Sequence, residues 1–133
     1  MRTNNGPGPG LMLRGLLIAA VLISWTTSPA HHAGTAFDMG QSETVTGIVK
    51  EFRFVNPHTW IMLEVEEEDG TVRDYKFEGQ SVSVLARSGW TRKTLQPGDR
   101  ITVNFAPYRD ERVGGEFRTV TLADGTVMGM ERI

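Results

Sequence analysis

From residue 44 onward, hydrophobic and polar positions alternate in short runs, and each run ends in turn-forming residues. "TVTGIVKEFRF" (44–54) is rich in β-branched and aromatic residues, with one glycine at 47. It predicts a long first strand that bends at or near Gly47. "VNPH" (55–58) is a turn, because Pro57 cannot donate to a ladder. The segment 59–79 reads as two strands around a hairpin, with Gly70 of "EDG" free to take positive φ. The period then changes. Val82, Leu85 and Ala86 fall at helical spacing, Gly89 stops the run, and one short helix over 81–87 follows. After the Pro-Gly turn of "LQPGD" (95–99), Ile101, Val103 and Phe105 alternate on one face, which predicts a half-buried strand over 100–108. "RDERVGGE" (109–116) reads as a polar loop. A strand from Phe117, a turn at Asp124-Gly125 and a short last strand complete the chain.

Three strands, a short helix and further strands are the order of the OB-fold, a Greek-key barrel whose helix falls between strands three and four. The expected fold is therefore mainly β: a small OB-like barrel of five to six strands with one short helix between strands 3 and 4. A two-sheet sandwich fits the same strand order, with the helix incidental.

The first thirty residues follow a different pattern. Arg2 and Arg14 precede the apolar run "LLIAAVLI" (16–23), and Ser28 and Ala30 stand at the small positions before a cut. Leu11 to Trp25 is shorter than the ~20 residues a spanning helix needs. The expected organisation is a signal peptide over 1–30 cut after Ala30, an N-terminal arm over 31–43, and a barrel domain over 44–133. The mature protein would be periplasmic or secreted, without a permanent membrane anchor. Loss of Arg2 and Arg14 lowers the formal net charge from −2 to −4, which opposes binding to nucleic acid. The absence of cysteine excludes a thiol nucleophile, a thiolate metal site and disulfides.

The chain has three histidines. His31 and His32 would open the mature protein, and His58 lies in the "VNPH" turn. A free terminal amine titrates near neutrality and can chelate a metal together with Nδ1 of His31. A further imidazole completes a three-nitrogen set, a histidine brace, which suits Cu(II). His32 offers a second route through the amine and the intervening amide. His58 is the candidate third ligand for His31. A first strand of this length puts residue 44 and His58 ~35 Å apart, and the arm spans ~40 Å when extended. The arm is therefore expected to fold back along the barrel, with Phe37 buried as its anchor and Asp38 as a partner to a ligand. Against this stand a plain chain terminus and a "VNPH" turn in which Asn56 and His58 merely hydrogen-bond their own turn.

In an OB-like barrel the loop joining strands one and two faces the loop joining strands four and five, here about 107–116, across the usual ligand face. His58, Asn56, Trp60, Tyr108 and Arg109 are the candidates to line it. They would take a metal ion or small ligand or, in a non-enzymatic binding module, a glycan, peptide or partner protein. Trp90 is expected to plug one end of the barrel, with Arg92 pairing an acid. "EVEEEDG" (64–70) reads as a solvated turn. No hydrolase or phosphate-binding motif is present, and nothing in the chain requires catalysis.

The runs "AHH…FD", "GIVKEFRFVNPHTWIMLEV", "GWTRKTLQPGDRITV" and "APYRD…TLADG" together resemble a bacterial family of small exported proteins of unknown function. That family is marked by a double His after the leader, an Asn-Pro-His turn, Gly-Trp-Thr-Arg and Pro-Gly-Asp. The resemblance implies export and a small β-barrel, and it brings no established activity.

Overall fold

The computed structural model describes residues 36–130. Its elements are β1 (Glu43–Arg53), β2 (Trp60–Glu66), β3 (Val72–Glu78), α1 (Val82–Arg87), β4 (Arg100–Pro107), β5 (Gly114–Thr121) and β6 (Val127–Gly129). One sheet runs β3-β2-β1-β4-β5-β6, and a parallel pairing of β3 with β5 closes the first five strands into a barrel. β6 is the extra strand, and the one short helix falls between β3 and β4, as the sequence predicts. No helix among the described residues is long and apolar enough to cross a membrane.

β1 makes the closure possible because it pairs in both halves. Residues 43–48 pair with β4, and residues 48–53 pair with β2. A bulge between Val49 and Glu51 resets the alternation at the changeover. Val45 and Val49 before it and Phe52 after it therefore all pack against the core. The sequence predicts a bend at or near Gly47, and the bulge lies two residues beyond it. Gly47 itself is where β1 meets β2 closely, since a Cβ on this residue would collide with Glu64 O and meet Leu63 Cγ at 2.9 Å. The inward faces of the strands supply Ile61, Leu63, Val65, Phe77, Ile101, Val103, Phe105, Phe117 and Val120. Trp90 closes one end of this core, as anticipated. It lies 5.5 Å from the Phe117 ring and 5.9 Å from Phe52, and its indole N–H donates to Gly129 O at 2.9 Å. Arg92 departs from expectation: it is exposed and makes no ion pair among the described residues.

The second departure is the start of β5. The glycines of "RDERVGGE", read from composition as loop, begin this strand at Gly114. Gly114 has φ 112° and abuts Lys76 O, and Gly115 abuts Ala106 O. Two strands approach β5 here from opposite sides, and only residues without a Cβ fit between them. The loop joining β4 to β5 is correspondingly shorter than predicted.

The arm is the third departure. Residues 36–38 do not fold back along the barrel. They run on past β4 in the antiparallel sense of the β1–β4 pair, with Phe37 opposite Tyr108. Asp38 N donates to Pro107 O at 2.8 Å, and Arg109 N donates to Ala36 O at 2.9 Å. Phe37 is buried, as expected, in a small cluster with Ala106 and Tyr108 outside the main core.

Candidate functional site

The closure brings the described part of the arm alongside β3 without a return along β1; residues 31–35 lie outside the described residues. Phe37 pairs with Tyr108, Tyr108 N donates to Gly114 O, and Gly114 pairs with Lys76. Arm, β4 end, β5 and β3 thus lie side by side, which spans ~14 Å at the usual strand spacing. Two residues further along β3, Glu78 holds His58. The barrel curls the "VNPH" turn round to the neighbourhood of the arm.

His58 is held from one side. Its Nδ1 lies 3.2 Å from Gly79 O and 3.1 Å from Glu78 Oε1. A backbone carbonyl only accepts, so Nδ1 carries the proton and donates. In the neutral ring the lone pair is then on Nε2. The side chain is 37% exposed and that of Glu78 18%, so the pair sits at the surface with the carboxylate the more covered. The peptide preceding Pro57 is cis. Asn56 does not bond its own turn either: its Oδ1 accepts from Val82 N at 3.0 Å, at the start of α1. Both polar residues of the turn are therefore tied to the segment 78–82. Thr59, fully buried, reinforces the junction through its hydroxyl to Gln80 O at 3.1 Å.

Tyr108 stands between the arm and this pair. Its ring lies 5.0 Å from that of Phe37 on one side, and the Arg112 guanidinium lies 4.0 Å from its centroid on another. Burial, and secondarily the negative charge of Glu78, push its phenol above the usual tyrosine value. Arg112 is anchored to Asp110 by two contacts, at 2.8 and 2.9 Å. Arg109 serves the arm, donating from Nε to Phe37 O at 3.0 Å, with Nη2 3.7 Å from Asp38. Asp38 otherwise closes the turn after the arm, accepting from Gly40 N and the Gln41 amide. It acts as a brace for the arm, and no contact joins it to His58. Trp60 faces outward on β2 and is half-buried, with Lys76 Nζ 4.3 Å over its ring.

Along this rim of the barrel, Arg109 and Asp38 secure the arm, and Tyr108 packs on Phe37 and feels the charge of Glu78, the partner of His58. Asn56 is turned to the start of α1, and Trp60 lies under Lys76. Among the described residues no hydrogen bond or ion pair joins His58 to Tyr108 or Arg109. His31 and His32 lie outside the described residues. Among the described residues, no three His, Asp or Glu side chains converge into a group that could hold a metal. Sequence reading missed Glu78 and Arg112. Glu78 carries a weak signal, as the last residue of a predicted strand before a Gly; its pairing with His58 depends on the β2–β3 register, which local pattern does not encode. Arg118 was also missed. It reaches from β5 to Met39 O at 2.8 Å and adds a second clamp on the arm.

A family of unknown function (DUF6152) matches residues 19–117, and the chain belongs to it. No curated protein matches the chain.

Proposed function

We propose that this family member is exported through a leader cut after Ala30 and acts outside the cytoplasm as a small, non-enzymatic metal-binding protein. Copper is the metal its donors suit. The barrel contributes His58, and the mature terminus contributes the amine and ring of His31, with His32 as an alternative donor. The observation that carries the reading is the state of His58. A carboxylate and a carbonyl take Nδ1, which fixes the tautomer and leaves Nε2 as a ligand lone pair at the surface. A metal-ligating imidazole has this arrangement. Among the described residues no three such side chains gather into a metal-holding group, and His31 and His32 are the only other histidines in the chain. The five residues back from Ala36 to His31 span at most ~17 Å, enough to cross the ~14 Å from the arm to β3, whose Glu78 holds the His58 ring. Imidazole and amine nitrogens favour Cu(II) over the hard cations.

The test is secretion of the full chain by a bacterial host, followed by intact mass with and without copper. A mature protein that begins at His31 and takes up one Cu(II) with a nitrogen-rich EPR spectrum is expected. His58→Ala should weaken binding by on the order of tenfold or more, and one extra residue ahead of His31 should do the same. Unchanged affinity with the amine blocked would remove the terminal amine from the site. Unchanged affinity in His58→Ala would remove the barrel.

A further inference from the structure

At the far end of β2 from His58, the barrel carries an open groove of about 360 Å³ where β1 passes between β4 and β2. Its lining is amphipathic. Ile48 and Val72, 36% and 61% exposed, are two of the four large hydrophobic residues exposed among the described residues, and both stand in this groove. Around them are Glu64, Glu66 and Glu68, none in an ion pair among the described residues. Glu67, by contrast, is engaged by the Tyr75 hydroxyl and lies 3.9 Å from Arg73. Arg100 is the one basic residue in the lining, so the groove is strongly negative. A merely solvated turn explains the acids and leaves the two bare aliphatic side chains unexplained.

We infer that this groove docks a cationic segment of a partner protein, one in which lysine or arginine residues flank aliphatic side chains. Ile48 pairs with Glu64 and Val72 with Glu66, so β2 separates the two aliphatic positions. Separate aliphatic side chains of the segment would lie on Ile48 and on Val72, and the cations next to them would meet the three carboxylates that lack a salt bridge. This surface lies ~20 Å along β2 from His58, so it stands apart from the metal reading.

The probe is a short amidated peptide of alternating lysine and valine, titrated into the exported protein and followed by amide NMR. Shifts should centre on Gly47, Ile48 and Val72. Glu64→Gln, Glu66→Gln and Glu68→Gln combined should weaken binding on the order of tenfold at low salt, and added salt should weaken it in the wild type. Val72→Ser should weaken it as well; this side chain is exposed enough for the change to leave the fold intact. Glu111→Gln, an acid outside the groove, and His58→Ala should have no effect. Equal binding of spermidine, or indifference to Val72→Ser, would reduce the groove to a diffuse negative surface and overturn the proposal. Shifts centred elsewhere on the barrel, or none at millimolar peptide, would overturn it too.

Discussion

Replacing Phe37 with alanine tests whether the arm is part of the barrel or an appendage. The ring is 2% exposed and packs on Tyr108 and Ala106. An aromatic side chain of this kind buries ~150–200 Å², worth ~4–5 kcal/mol at ~25 cal/mol per Å². A Phe→Ala change in a main core costs ~3–5 kcal/mol. Here the loss has a ceiling, because the arm can detach and leave the barrel folded. Besides the Arg109–Asp38 ion pair at 3.7 Å, residues 36–39 are held by four hydrogen bonds, from Asp38 N, Arg109 N, Arg109 Nε and Arg118 Nη2. Each is worth ~1 kcal/mol net, against ~1–2 kcal/mol of backbone entropy for every residue ordered. Without the ring those terms roughly cancel, so the cost equals the docking energy of the arm, about 2–4 kcal/mol. Urea denaturation should show that loss, with a Tm lower by ~10 °C or more. Phe37→Leu should cost less than half as much. In the wild type, the amide of Asp38 should be protected from hydrogen exchange, and in Phe37→Ala it should lose that protection. A loss under ~0.5 kcal/mol together with an unprotected Asp38 amide in the wild type would refute the docked arm.

Two further changes probe the closure and the rim. Gly47→Ala should destabilise by about 1–3 kcal/mol or more in the same denaturation assay, since its Cβ would collide with Glu64 O and crowd Leu63 and Val65; a neutral or stabilising result would show that β1 and β2 do not cross tightly there. Tyr108 keeps its proton to higher pH in the fold than in the unfolded chain, because burial and then Glu78 disfavour the phenolate. Its contribution is complete below the unfolded value of about 10 and is lost as pH rises from there through the folded value. Tyr108→Phe should flatten the alkaline loss of stability, leaving the slope due to Tyr75, whose phenol is raised by burial and by its bond to Glu67. An unchanged alkaline slope in Tyr108→Phe denaturation curves would refute the assignment.

The parts of the fold legible in the sequence are those governed by local rules. Alternation at Ile101, Val103 and Phe105 names an inward face whatever the strand's neighbours are. Gly47 in an otherwise β-branched run marks a place where backbone must approach backbone, and Val82, Leu85 and Gly89 mark one turn and a half of helix. What escaped depends on partners distant in sequence. Gly114 and Gly115 have the composition of a loop; they form a strand because Lys76 and Ala106 crowd them from both sides. Polar turn residues predict a turn without saying where its side chains go. Asn56 and His58 bond to residues 78–82, which only the register of Trp60 with Glu78 brings alongside. Extended-chain arithmetic misjudged the arm for the same reason: it measured β1 as straight, whereas β1 changes partner at Ile48 and bulges just after it.

That curvature gives the rim its chemistry. A straight β1 would hold its two ends apart, and the arm would need its own path back to the "VNPH" turn. A barrel closed by β3 and β5 does the work with backbone hydrogen bonds already present in the sheet, and the arm needs only to continue past β4. The two arginines that clamp it are Arg109, from the β4–β5 loop, and Arg118, from β5. Their acceptors are the carbonyls of Phe37 and Met39, so the clamp fixes the backbone of the arm regardless of its side chains there. The ring of Phe37 sets its depth against Tyr108, and Tyr108 feels the charge of Glu78, the residue that orients His58. One carboxylate thus bears both on the phenol of Tyr108 and on the imidazole of His58. Substituting Glu78 would free the His58 ring and remove the lesser of the two causes that raise the Tyr108 phenol, whereas Phe37→Ala acts on the arm.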